Sequence, residues 1–448
     1  MVLGDCPGLR AVIHINMEKN MKGNRSNMYQ KVTLSNGLRV VCETIPQVHS
    51  VALGIWIGTG SRYEDFHYNG ISHFTEHVLF KGTARRTARQ IAEEIDAVGG
   101  QLNAFTTKEY TCYYSKLLSR HYQFGIDLLS DMVLNSTLNP QEIEKEKSVV
   151  LEEINSYEDT PDEQIHDLFV ACLLKDHPLG WNILGTKESV QRIDRQVILD
   201  FLKAHYTPDN MVFAAAGNIR LDQIVPEIEK RFSHLSGSSK NQLSALPPLK
   251  SRSLIKRKDT EQVHLCIGCR GVERQNPHKY TVFVLDSILG GSVSSRLFQK
   301  LREELGLVYV TGSSHSSYRD TGIFTVYAGS SMRNYELVNS LIKTEMFQLC
   351  EETVDGVELS RAKEQIKGNL LLGLESSCNR MSRLAKMDLF GDKLITPEET
   401  VSKVDTVTSA DLKEVARQLF SEQTMIATAI GPFDSETVEE TLGMRREA

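Results

Sequence analysis

Apolar positions along the chain change their period repeatedly, and the changes come in the same order twice. Val51-Ala-Leu-Gly-Ile-Trp-Ile-Gly-Thr-Gly60 predicts a buried strand ending in a glycine turn. Val263-His-Leu-Cys-Ile-Gly-Cys-Arg-Gly271 resembles it 212 residues later. Thr87–Tyr114 predicts an amphipathic helix, a glycine pair and then a strand; Ser295–Tyr327 repeats this as a helix through Leu305, Gly306 and alternating strand residues. Glu188-Ser-Val-Gln-Arg-Ile-Asp194 matches Glu399-Thr-Val-Ser-Lys-Val-Asp405 at an offset of 211. A helix follows each, ending in Tyr206 or Phe420, and then an apolar strand, Met211–Gly217 or Met425–Gly431. A unit written twice is the simplest reading.

Strands and helices mix within each unit, which predicts an α+β fold of two homologous halves, each a mainly antiparallel sheet packed with helices. The join is expected in Ser233–Ser253, where Ser236-Gly-Ser-Ser239 is flexible and Pro247-Pro248 is stiff. The expected division is an unmatched leader at 1–27, a first half at 28–235, a linker at 236–253 and a second half at 254–448. Two similar lobes favour a ligand cleft between them.

Composition narrows the class. At 448 residues the chain is long enough for about two to four domains of roughly 150 residues. Its 40% hydrophobic and 24% charged residues are ordinary for a soluble globular protein. A net charge of −7 argues against nucleic acid as a partner. No apolar run approaches the roughly 20 residues of a membrane helix, so no membrane insertion is expected. Met1–Asn27 lacks a signal-like apolar stretch, and Asp5 and Glu18 count against a transit peptide. Of the eight cysteines only Cys266 and Cys269 stand close, in a segment that reads as a core strand rather than a zinc ribbon. Reduced thiols and a bacterial cytoplasm are expected, with the mitochondrial matrix as the alternative.

The chemistry concentrates in Gly70-Ile-Ser-His-Phe-Thr-Glu-His-Val-Leu-Phe-Lys-Gly-Thr83. On a helix His73, Glu76 and His77 share one face. Two imidazoles one turn apart can hold one zinc ion, and a carboxylate between them can take a proton from an attacking water. The order is the inverted zincin motif His-x-x-Glu-His. A third ligand must come from a neighbouring element. Asn139-Pro140 predicts a helix start, cap then proline. Glu146 and Glu153 stand seven apart on that helix, two turns along one face, whereas Glu142, Glu144 and Glu152 point elsewhere. Spacing alone does not choose between Glu146 and Glu153.

Taken together, Gly70–Thr83 and Glu144-Lys-Glu-Lys-Ser-Val-Val-Leu-Glu-Glu-Ile154 resemble the pitrilysin family of zinc metallopeptidases, and within it the processing-peptidase-like branch. The resemblance runs from about residue 30 to about residue 435. It implies a clamshell of two halves with one zinc ion per chain, held by His73, His77 and Glu153. Glu76 becomes the general base, and Glu146 orients a ligand. Asn103, Ala104 and Phe105 belong to the family's Asn-Ala-Phe-Thr edge strand, to which an extended peptide adds as a further strand. Arg302 would grip the substrate and Tyr309 would donate to the oxyanion. The second half has no His/Glu pair at Thr281–Gly290, so it is expected to supply the lid and the grip. Thr75 departs from the family's usual apolar residue but lies off the ligand face. The implied activity is a zinc endopeptidase cleaving unfolded peptides or presequences in a closing chamber, as a homodimer. The alternatives are a non-catalytic scaffold, like the related respiratory-complex core proteins, and a peptide-binding subunit of a processing complex.

Overall fold

Strand periodicity produces two six-stranded sheets. The computed structural model describes residues 29–434 and the backbone of residues 437–440; the expected leader and Cys6 lie outside the described residues. In the first half the strands are β1 (Tyr29–Thr33), β2 (Arg39–Thr44), β3 (Ser50–Ile57), β4 (Gln101–Thr106), β5 (Thr111–Leu118) and β6 (Met211–Gly217). In the second they are β7 (Arg252–Arg257), β8 (Val263–Gly271), β9 (Val308–Ser317), β10 (Gly322–Ser330), β11 (Ile426–Gly431) and β12 (Thr437–Glu440). The orders are β1-β2-β6-β3-β5-β4 and β12-β7-β11-β8-β10-β9. Five strands therefore correspond one to one. Each sheet is antiparallel except for one parallel pair, β2 with β6 and β7 with β11. β4 and β9 are the matching outer edges.

Both faces of each sheet are buried, and alternation along the strands divides the cores. In β3, Val51, Leu53, Ile55 and Ile57 face the helices of their own half, while Ala52 and Trp56 face the other way. That second face is covered by a helix from the second half, Ser377–Leu389, through Met381, Leu384, Ala385 and Leu389. Gly54 makes room for it: a Cβ there would lie 2.8 Å from Met381 Sδ. The exchange is reciprocal. The first-half helix Pro161–Leu173 places Ile165, Phe169 and Cys172 on Cys266, Ile426 and Ile430 of the second sheet. Cys266 and Cys269 thus lie on opposite faces of β8, in two different cores, and cannot share a ligand.

A buried ion network also joins the halves. Arg62 donates to Glu109 Oε1 at 2.7 Å and to Asp320 Oδ2 at 2.6 Å, and the Arg319 N–H donates to Glu109 Oε1 at 3.2 Å. Opening the halves as a clamshell would expose two apolar faces and break this network. No helix among the described residues is long and apolar enough to cross a membrane.

Candidate metal centre

Two helices of the first half build the centre. His73, Glu76 and His77 lie on helix Ile71–Leu79, which carries no side-chain cap at its own N-cap position, Gly70. Glu64 reaches across instead and accepts from the N–H groups of Gly70 and Ser72 at 2.7 and 2.8 Å and from Asn69 Nδ2 at 2.8 Å. A buried carboxylate at a helix N-terminus meets the unpaired N–H groups and the positive end of the dipole. Gly70 has φ +94°, and a Cβ there would stand 2.5 Å from the Leu184 carbonyl oxygen. The partner helix, Pro140–Glu158, starts as expected: Asn139 caps it, accepting from Gln141 N–H at 2.8 Å, and proline follows. Ile143, Glu146, Val150 and Ile154 form its buried stripe.

The structure separates the two carboxylates that spacing leaves equivalent. Glu153 Oε2 stands 3.7 Å from His73 Nε2 and 3.7 Å from His77 Nε2. The ligand atoms of these three residues all lie within 4.8 Å of one another, and they form the one such cluster found among the described residues. Ligands about 2.0–2.1 Å from a tetrahedral ion stand roughly 3.4 Å apart, so the set fits a zinc-sized cation. Glu146 lies behind His77 instead, 3.0 Å from Nδ1, and pairs through its other oxygen with Lys81 at 2.7 Å. A carboxylate paired with lysine is an acceptor, so His77 Nδ1 is the donor in that bond, and the ring's other nitrogen, Nε2, faces Glu153. Burial, reinforced by the neighbouring His77, pushes His73 down to about 3, which keeps that imidazole neutral at physiological pH.

Glu76 faces the same groove, whose volume is about 530 Å³. Burial raises its carboxyl above the ordinary range, and a hydrogen bond from Thr106 works against that rise. Ala104, Phe105 and Thr106 at the end of β4 line the groove, together with Tyr157, Glu163, Asp167 and the segment Asn182–Leu184. No described strand pairs with the outer edge of β4, so backbone groups beside the cluster are available to an extended chain. Phe105 also packs on Trp56, Tyr110 and Tyr114 with ring centroids 5.7, 6.1 and 6.1 Å away. Asn103 is not among the lining residues; its Oδ1 accepts from the Ala104 N–H at 2.8 Å.

All the groove-lining residues belong to the first half. Arg302 and Tyr309, expected beside the metal cluster, are not among them. Arg302 lies in a π-helical turn, Phe298–Glu304, and Tyr309 at the start of β9, with the Arg302 guanidinium 4.8 Å from the Phe298 ring and 5.2 Å from the Tyr309 ring. Tyr309 is 72% exposed. Sequence reasoning missed Lys81 and Thr106, though both lie in segments it singled out. Lys81 lies just past the end of the His helix and its partner, Glu146, is on another helix, so local spacing gave no signal. Thr106 follows the substrate-strand triplet directly, but its link to Glu76 spans 30 positions in sequence and leaves no local trace.

An inverted His-x-x-Glu-His helix, a third carboxylate and an open edge strand define the metallopeptidase class. Residues 39–187 match the family model for insulinase (peptidase family M16), and residues 192–366 match that of the peptidase M16 inactive domain. The chain is 43% identical over 400 residues to an uncharacterized zinc protease of Bacillus subtilis, YmxG, covering 89% of this chain and 98% of that one. It is 39% identical over 422 residues to an uncharacterized zinc protease of Mycobacterium leprae, covering 92% and 94%. The chain therefore belongs to peptidase family M16. Among solved structures, a protease from Helicobacter pylori superposes with TM-score 0.85 at 22% identity, covering 90% of this chain and 99% of that one. A chain of complex III2 from Candida albicans superposes with TM-score 0.80 at 24% identity, covering 90% and 96%. The inactive-domain match begins in the first half, where it takes in helices Arg195–His205 and Leu221–Phe232 and strand β6, and continues into second-half residues that lack the His pair.

Proposed function

We propose that this protein is a zinc-dependent endopeptidase acting on unfolded peptides, with one zinc ion per chain held by His73, His77 and Glu153. The observation that carries the reading is the convergence of these three residues beside Glu76 and an open strand edge. The relatives from Bacillus subtilis and Mycobacterium leprae are named zinc proteases, which supports the choice of metal. Zinc, when bound, supplies Lewis-acid polarisation of the scissile carbonyl and of water. Glu76 is the general base: its carboxylate takes the proton of the attacking water and returns it to the leaving amine. Glu146 fixes the His77 ring, and β4 accepts the substrate as an added strand whose backbone pairing tolerates many side chains. Glu163 puts negative charge in the groove, which favours peptides carrying a basic residue near the scissile bond, whereas Asp167 is offset by Lys108 at 3.7 Å.

Arg302 and Tyr309 complete the site from a second copy of the chain, in a homodimer whose facing surfaces enclose the chamber. The all-first-half lining of the groove and the exposure of Tyr309 support that arrangement. The activity belongs in the bacterial cytoplasm, where the buried thiols of β8 stay reduced. The fold is shared with a chain of complex III2 from Candida albicans, and a scaffold role is the competing reading; retention of a convergent ligand set with a base beside it argues against it.

The test is cleavage of a quenched fluorescent peptide library with zinc content measured in parallel. Zinc near one per chain, cleavage by the wild type and loss of cleavage in Glu76→Gln with zinc retained are expected. Absence of both zinc and cleavage overturns the proposal in favour of the scaffold.

A further inference from the structure

Glu76 is anchored by one oxygen only. Thr106 Oγ1 donates to Glu76 Oε2 at 2.5 Å, and no other hydrogen bond to this carboxylate occurs among the described residues. Oε1 is therefore the oxygen left for a water proton.

The donor is itself well fixed. Thr106 closes β4, paired with Thr111 of β5. Thr111 Oγ1 donates to the Thr59 carbonyl at 3.0 Å. In the turn beyond, Thr107 Oγ1 donates to the Tyr110 carbonyl at 2.9 Å and accepts from the Tyr110 N–H at 3.1 Å. The hydroxyl thus sits on a stiff hairpin, whereas the glutamate side chain has three rotatable bonds and must be held to one rotamer to serve as a base. Ala104, two residues earlier on the same strand, lines the groove along which peptide would be laid.

We propose that Thr106 is a positioning residue for the general base: it holds one carboxylate oxygen of Glu76 and locks the base to the strand that receives the substrate. The inference rests on Glu76 acting as the base. It assigns Thr106 a role in the chemical step and none in holding peptide or metal. A carboxylate free to rotate away from the reacting water loses its near-attack geometry, and misplacement on the scale of 1 Å can cost roughly 100-fold.

The test compares zinc-loaded wild type, Thr106→Val, which keeps shape and loses the donor, and Thr106→Ser, which keeps the donor. With a quenched fluorescent peptide, Thr106→Val should lower kcat by roughly 10- to 100-fold and leave KM within about threefold. Thr106→Ser should recover most of the loss. Zinc content and thermal midpoint should not change. In a Glu76→Gln background, which binds peptide without turnover, Thr106→Val should leave the Kd for the same peptide unaltered. An unchanged kcat in Thr106→Val overturns the inference. So does a loss that serine fails to rescue, or weaker peptide binding in the Glu76→Gln background. If Glu76→Gln cleaves as well as wild type, the base assignment itself falls and this inference falls with it. If Glu76→Gln is inactive and Thr106→Val is fully active, the base stands and only the role of Thr106 is refuted.

Discussion

His77 is held at Nδ1 by Glu146 at 3.0 Å, while its Nε2 faces Glu153 at 3.7 Å. The two carboxylates therefore predict different phenotypes. Glu153→Gln removes an anionic ligand and should strip most of the zinc. Glu146→Gln leaves every ligand in place but weakens the ring's anchor; it should lower zinc affinity by about 10- to 100-fold, read by competition with a chromogenic chelator. Equal zinc loss in both variants would contradict this division. Sequence made the His/Glu/His triplet legible because three residues on one helical face need no partner element. It left Glu146 and Glu153 equivalent because helix periodicity gives a face, not the crossing point of two helices.

The helix that replaces the His helix in the second half, Lys279–Leu289, carries a partly buried carboxylate in place of metal ligands. Ser313 of β9 donates to Asp286 Oδ1 at 2.5 Å, yet burial pushes this carboxyl from 3.8 up to about 6. The folded state thus holds the proton more tightly than the unfolded chain. The resulting stabilisation is complete below pH 3.8 and is lost as pH rises through about 6. Asp286→Asn keeps an acceptor for Ser313 and removes the charge. It should stabilise the protein by about 3 kcal/mol at pH 7 and by almost nothing at pH 3.5, measured by urea denaturation across that range. Strand boundaries were legible to within a residue at β6, β8 and β11 because their apolar runs end in glycine. The segment before Gly306 reads as an ordinary helix but winds as a π-helical turn, since its side-chain pattern does not encode which carbonyl each N–H finds.

At the scale of the whole molecule the halves are tied by exchanged helices and by Arg62. Its guanidinium is 1% exposed between Glu109 at 3% and Asp320 at 27%. Replacing it with methionine strands a buried carboxylate. Arg62→Met should cost about 3–5 kcal/mol in chemical denaturation, and Asp320→Asn markedly less, because Arg62 would keep Glu109 and Asp320 is partly hydrated. Similar losses in the two variants would refute the network's asymmetry. The clamshell expectation looked for the lid in the second half of the same chain. The interlocked halves leave the groove without any second-half residue among the described ones.

What the sequence determined by itself is everything set by short-range period and spacing: the repeated unit, the mixed sheet-and-helix class, the strand faces, the capped glutamate helix and the inverted metal motif. Tertiary structure alone decided the rest. It put Glu153 rather than Glu146 at the two Nε2 atoms, buried Glu64 under the His helix, bonded Thr106 to Glu76 and exchanged a helix in each direction between the halves. Each of these joins residues on different elements, where the outcome depends on how two surfaces meet. A linear pattern carries the shape of each surface but not the angle and register at which they pack.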